Sequence, residues 1–225
     1  MTQPNIYLSV IVPAYNEAQR LPKTLGRVSE YFAGKSLAYE IIVVLDGPTD
    51  GTRELVRSLV CQIPHVRIID RVVNRGKGFA VKEGMLAARG QLRLFCDADN
   101  STDIAHFDRM KRLFDQGCDL VIASRSPKDA PGRRLAVPGI WDTQCGFKAF
   151  RAEAAERIFS KLTIDRWGFD IEVLALARAL NYKIGIIPAH WVNDARSHVR
   201  NIDYLRVLRD TFKVRANLLT GKYGL

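Results

Sequence analysis

Five short apolar runs punctuate the first half of the chain: LSVIVPAY from Leu8, EIIVVLDG from Glu40, VRIIDR from Val66, LRLFCDAD from Leu92 and DLVIAS from Asp119. Each is rich in Val, Ile or Leu, and runs apolar through their length are the pattern of parallel strands covered on both faces. Between them, residues 17–33, 50–61, 77–89 and 103–116 place Leu, Val, Ala and Met at helical spacing among charges. This alternation predicts a doubly wound α/β sheet with helices on both faces.

Ligands of such sheets sit in the crevice outside the carboxyl ends of the strands, so the residues that follow each run form one candidate surface. They are Pro13, Ala14, Tyr15, Asn16 and Glu17; Asp46, Gly47, Thr49 and Asp50; Asn74, Arg75, Gly76, Lys77 and Gly78; Asp97, Ala98 and Asp99; and Ser124 with Arg125. Acids, cations and small residues converge on one edge, as a site holding a polyanion through a metal and direct cations requires. A hard cation such as Mg²⁺ or Mn²⁺ needs only one or two protein carboxylates when phosphates complete its shell, and Asp99 suits that role. An Asp-Ala-Asp triplet alone is weak, because turns and helix caps account for most such acids; Ser101, Thr102 or Asp103 would serve as the next helix's cap.

Composition changes the picture in one respect. With 225 residues, 47% of them hydrophobic, the chain suits one domain with one sizeable core. Its 34 Lys and Arg against 24 Asp and Glu give a net charge of +10, which favours an anionic partner. Cys61, Cys96, Cys118 and Cys145 show neither a CxxC pair nor an adjacent histidine, so reduced thiols in a cytoplasmic setting are expected. There is no signal-peptide pattern and no uncharged apolar stretch of membrane-spanning length, so membrane contact is expected to be peripheral, on the cytoplasmic face.

Five segments in order, SVIVPAYNE, VVLDGPTDGT, NRGKGFAVKEGM, DAD and DTQCGFKAF followed by RWGFDIE, resemble family 2 glycosyltransferases of the GT-A fold. Within that family the chain is most similar to the branch that glucosylates or mannosylates polyprenyl (dolichyl) phosphates, and the last pair looks closest to the dolichyl-phosphate glucosyltransferases. The likeness runs from Ser9 to about Ser197. It implies a Rossmann-like, mostly parallel sheet in a single domain over 1–225, with a nucleotide-sugar half to about 125 and an acceptor half beyond. It further implies that Pro13, Tyr15, Glu17, Asp46, Gly76, Lys77, Asp97 and Ala98 bind the nucleotide sugar. Asp99 would hold Mg²⁺ or Mn²⁺, and Arg125 the acceptor phosphate. Two departures stand out: Leu45 precedes Asp46 where the family has a second acid, and Ser101 replaces a glutamine that in mannose synthases helps bind metal.

The chemistry implied is transfer of a hexose from UDP-glucose or GDP-mannose to a polyprenyl phosphate with inversion, a cation stabilising the leaving diphosphate. A phosphate acceptor is already anionic at neutral pH. A sugar-hydroxyl acceptor would need a base, for which Asp142, Asp170 and Glu172 are the candidates; a helix first turn accounts for the last two nearly as well. Residues 126–140, rich in Pro, Gly and basic side chains, read as a loop that either closes over substrates or merely connects. Ile202, Leu205, Leu208, Phe212, Ala216 and Leu219 recur at three- or four-residue steps beside Arg206, Arg209 and Lys213. That is a basic amphipathic helix, for which packing on the core is preferred over lying on an anionic membrane, and the charge only partly offsets that preference. His190 and His198 lack metal-ligand spacing; Ser197 falls where the family has an acceptor-side serine.

Other classes fit less well. No GxGxxG follows the first strand, Gly76-Lys77 is followed by Gly78 rather than Ser or Thr, and no nucleic-acid-binding motif accompanies the charge, so no nucleic-acid partner is expected. A non-catalytic sugar-nucleotide-binding protein stays open, because Leu45 stands where an acid is usual.

Overall fold

The computed structural model describes residues 5–125, 140, 142–189 and 201–225, with side chains from Tyr204 onward in the last segment. The order is β1 (Leu8–Ala14), α1 (Leu21–Ala33), β2 (Tyr39–Asp46), α2 (Thr52–Val60), β3 (Val66–Arg71), α3 (Lys77–Ala87), β4 (Leu92–Cys96), a 3₁₀ turn (Ile104–His106) and α4 (Phe107–Asp115). Then follow β5 (Leu120–Ser124), β6 (Phe147–Arg151), α5 (Ala152–Phe159), α6 (Phe169–Ala179), β7 (Ile184–Pro188) and α7 (Asn201–Leu219). All five predicted strands and the four predicted helices are present. The first helix begins later than its periodicity suggests, because Pro22 occupies its first turn, where a missing N–H costs nothing.

The seven strands lie in the order β3-β2-β1-β4-β6-β5-β7. β6 is antiparallel to both of its neighbours, and the described ladders make the other six mutually parallel. All eight residues of β2 are buried, as a strand covered on both faces requires. The pleat divides the apolar side chains between two cores: Val10 and Val12 of β1 pack with Leu21, Leu25, Met110 and Phe114 on one face, and Ile11 packs with Val81, Met85, Ile158 and Phe169 on the other. Chain order reverses between β1 and β4, so the sheet's topological switch point lies where their carboxyl ends open side by side.

The last helix departs from expectation. The predicted apolar stripe of α7 does not pack on the core: Leu205, Leu208, Phe212 and Leu219 are 52–79% exposed, whereas the helix meets the core through Val214 and Leu218, with Asp210 and Asn217 buried beside them. Ile202 falls in the first turn of α7, ahead of the described side chains, and His190, Ser197, His198 and residues 126–139 lie outside the described residues. Among those described, no helix is long and apolar enough to cross a membrane.

Candidate active site

The loops after β1 and β2 are laced together before any ligand arrives. Asn16, at φ 56°, accepts the Thr49 N–H through its amide oxygen at 2.8 Å, and Thr52 Oγ1 accepts the Glu17 N–H at 2.8 Å. The Glu17 carboxylate is gripped by Arg20, whose Nε and Nη2 donate to its two oxygens at 2.7 and 2.6 Å. Tyr15 is left 39% exposed at the strand tip, beside the half-buried Pro13.

Asp46 has a specific task. Its two oxygens accept the Arg75 and Gly76 backbone N–H groups at 2.9 and 2.7 Å, and its carbonyl accepts the Asn74 amide at 3.1 Å. The carboxylate at the end of β2 thus moulds the loop that feeds α3, a role that the sequence does not distinguish from base recognition. Gly76 sits at φ 112°, and a Cβ there would press on Arg166 and the Asp165 carbonyl at 2.7 Å, so glycine is required both for conformation and for closeness. Leu45 is fully buried in the core, so the position of the missing acid serves packing.

β4 ends in the two aspartates. Asp97 Oδ1 lies 2.5 Å from Lys77 Nζ, and the Lys77 ammonium is also within 5.2 Å of the Trp167 ring centre. Burial pulls the Lys77 ammonium downward, but Asp97, Asp170 and Asp99 outweigh it and hold the group above its ordinary value, so it is a fixed positive charge. Asp99 Oδ1 accepts the Ser101 N–H at 2.9 Å, while Asp103 caps the 3₁₀ turn through the Ala105 N–H at 2.8 Å. Capping therefore explains Asp103 but takes only one oxygen of Asp99. The Ala98 carbonyl is fixed by Thr24 Oγ1 at 2.6 Å.

Beyond β5 the side chains form a run of alternating charges. Arg125 Nε and Nη2 donate to the two Asp142 oxygens at 2.6 and 2.8 Å. Burial pushes the Asp142 carboxyl up, yet the bonds and charge of Arg125 overcome it and hold the group at about 2. Lys148, fully buried as the second residue of β6, donates to the Cys145 carbonyl at 2.6 Å and to Asp170 Oδ1. Burial pushes Asp170 up against the pull of Lys148 and Lys77. Glu172 accepts the Thr163 and Ile164 N–H groups and the Tyr223 hydroxyl, tying a loop and the chain's end to α6. Asp142, Asp170 and Glu172 thus all hold structure in place. Burial also pushes the Cys145 thiol up to about 11, and Cys96 further, so neither is a ready nucleophile.

Three contributors escaped the sequence reading. A Cβ at Gly146 would fall inside the Asp97 carboxylate, so this glycine makes the space that Asp97 occupies. Trp167 walls Lys77, and Lys148 neutralises Asp170 from beneath. The glycine in CGF and the lone lysine inside the apolar FKAF were the available signals. Among the described residues no cluster of three or more His, Cys, Asp or Glu converges to enclose a metal. The donor set at the tip of β4 instead fits a hard cation that takes one or two carboxylates and completes its shell with phosphate oxygens and water.

With this geometry in place, the comparisons are specific. The family model for Glycosyl transferase family 2 matches residues 9–151. A dolichyl-phosphate beta-glucosyltransferase of Dictyostelium discoideum is 38% identical over 96% of this chain and 76% of its own length, and the human protein of that name is 34% identical over 99% and 79%. Among solved structures, a Pyrobaculum calidifontis mannosyltransferase in complex with GDP-Man and Mn²⁺ superposes with a TM-score of 0.68 at 21% identity, covering 95% of this chain and 65% of that one. Glucosyl-3-phosphoglycerate synthase from Mycobacterium tuberculosis in complex with Mn²⁺ and UDP gives 0.65 at 19%, covering 96% and 79%. The GT-A arrangement of the sheet and the ordered motifs along it have one reading: the chain is a glycosyltransferase and belongs to glycosyl transferase family 2.

Proposed function

We propose that this enzyme transfers a hexose, glucose foremost, from a nucleotide sugar to a polyprenyl phosphate with inversion at the anomeric carbon. The observation that carries the choice of acceptor is the state of the acceptor-side acids. A hydroxyl acceptor needs a base, and Asp142 at about 2, Asp170 against Lys148 and Glu172 inside its cage are all committed elsewhere. A phosphate monoester, with its second pKa near ~6, attacks as an anion and needs none. Its oxygen forms the new bond to the anomeric carbon as the bond to the diphosphate breaks, and the electron pair leaves on the diphosphate.

In this reading Tyr15 and Pro13 flank the base, Asp46 shapes the loop that brings Gly76 and Lys77 to the diphosphate, and Asp97 orients the ribose or the sugar. Asp99 holds Mg²⁺ or Mn²⁺, which when bound supplies charge neutralisation at the leaving group. Arg125, aimed by Asp142, receives the acceptor phosphate. The outward apolar face of α7 and the excess of cations favour peripheral contact with an anionic membrane on its cytoplasmic side. The names of the sequence relatives favour glucose and dolichyl phosphate, and the Mn²⁺ of the structural neighbours favours a divalent metal.

A thermal-shift panel of UDP- and GDP-sugars with and without Mn²⁺ identifies the donor, and transfer is then compared on a short polyprenyl phosphate and on the matching polyprenol. Transfer to the phosphate alone is expected. Transfer to the alcohol or to a sugar hydroxyl, or donor binding without any transfer, refutes the assignment. Asp99→Ala is expected to abolish the metal-dependent part of the donor shift, and Arg125→Ala to abolish transfer while donor binding persists.

A further inference from the structure

A cavity of about 460 Å³ lies between the 163–168 loop and α7, separate from Arg125 and from the pair at the tip of β4. Five cations, Arg75, Arg166, Arg206, Arg209 and Lys213, line it against two carboxylates, Asp165 and Asp210. Both acids have structural partners. Arg75 donates to Asp165 at 2.9 Å, and Asp210, pressed against Gly168 at the N-cap of α6 where a helix dipole favours a negative charge, lies 3.5 Å from Arg209, so two of the five cations are offset and the lining keeps an excess of three positive charges. The cavity is therefore a basic pocket large enough for a phosphate group and its hydration. Trp167 forms part of its wall and also faces Lys77, so one side chain separates it from the active cleft.

The same helix supplies a second feature. At about 100° per residue, Arg209, Lys213 and Arg206 form one edge of α7, and this edge borders the outward stripe of Leu205, Leu208 and Phe212. A basic pocket beside an exposed apolar stripe matches one kind of ligand: an anionic head with a hydrocarbon chain.

We propose that this cavity is a second phosphate-binding site, which takes the phosphate headgroup of a membrane lipid while the lipid's chain lies along Leu205, Leu208 and Phe212. The headgroup belongs either to the polyprenyl phosphate acceptor before it enters the cleft, which rests on the function proposed above, or to a bulk anionic phospholipid that seats the enzyme at the bilayer.

Flotation of the full chain with vesicles tests this. The vesicles are phosphatidylcholine alone, phosphatidylcholine with phosphatidylglycerol, and phosphatidylcholine with a few per cent of polyprenyl phosphate. Arg209→Glu/Lys213→Glu is expected to lower partition onto charged vesicles roughly tenfold or more. Arg27→Glu/Arg112→Glu, an equal change of charge on helices across the sheet, is expected to have a much smaller effect. Phe212→Ser is expected to weaken binding to the same vesicles. A response to phosphatidylglycerol assigns the site to bulk lipid, and a response to polyprenyl phosphate at constant surface charge assigns it to the acceptor. Equal losses from the two double variants, undiminished binding by the cavity variant, or a dimer of the wild-type chain that Phe212→Ser dissociates would each overturn the proposal. The nucleotide-sugar thermal shift is read on every variant: its absence from the wild-type chain counts against the enzyme reading, whereas its persistence in a variant that no longer floats isolates the lipid site.

Discussion

Gly146→Ala isolates the steric basis of the site. The Gly146 backbone is outside the positive-φ region, so alanine meets no conformational penalty and the change acts through its methyl group alone. That methyl lands on the Asp97 carboxylate, and restoring a separation of roughly 3.5 Å requires Asp97 to withdraw by on the order of 1 Å. Lengthening the 2.5 Å contact with Lys77 by that amount weakens the attraction by about 2 kcal/mol at an effective dielectric of ~20, before discounting for the solvent that reaches a carboxylate 34% exposed. A misplacement of this size at a reacting centre costs about 100-fold in rate. Over-packing adds about 1–3 kcal/mol of destabilisation if the site resists. The assay is kcat/KM for transfer alongside the thermal midpoint, with Gly26→Ala as reference, because a Cβ at Gly26 in α1 meets nothing within 4 Å and is expected to be neutral or slightly stabilising. A Gly146→Ala enzyme with wild-type kcat/KM and an unchanged midpoint would refute the reasoning.

Three further outcomes follow from buried polar groups. Lys148→Met leaves Asp170 unpaired in a dry site and is expected to cost about 3–5 kcal/mol in urea unfolding, much of it recovered by Asp170→Leu in the same chain; a single-variant loss below about 1 kcal/mol would contradict the pairing. The Asp142 carboxyl is lowered on folding from 3.8 to about 2, so its contribution, of order 2 kcal/mol, is complete above its unfolded value and disappears as pH falls through about 2. The acid limb of the stability curve between pH 4 and 2 should flatten in Asp142→Asn, and an unaltered limb would count against the Arg125 pair. Tyr223→Phe removes the 2.7 Å bond to Glu172 and is expected to cost about 1.5–3 kcal/mol on chemical denaturation.

The strands β1 to β5 were legible because each is a short run rich in Val, Ile or Leu, even where charges interrupt it as in VRIIDR, and the crevice was legible because parallel strands send all their carboxyl ends to one edge. Asp97, Asp99 and Lys77 emerged from that rule. β6 did not, because FKAFR carries a lysine at its second position that is tolerable only with Asp170 opposite, a partner 22 residues away. β7, IGIIP, is a short edge strand bounded by proline and carries a glycine, both of which weaken the pattern. Pairings such as Arg125 with Asp142 depend on tertiary approach rather than on spacing, so the sequence showed candidate acids without showing that they were taken. The face of α7 was misjudged for a related reason: periodicity reveals that a helix has two faces, and which one meets the protein depends on what lies beneath it, here the Gly168 backbone that admits Asp210.

The reversed direction of β6 has an evolutionary corollary. Because β5 and β6 are antiparallel neighbours, the chain leaves the sheet after Ser124 and re-enters at Phe147 on the same rim, the rim that carries the candidate active site. The intervening stretch is therefore a cassette whose two attachment points are fixed by the ladder, and it can be exchanged between relatives without rethreading a single strand.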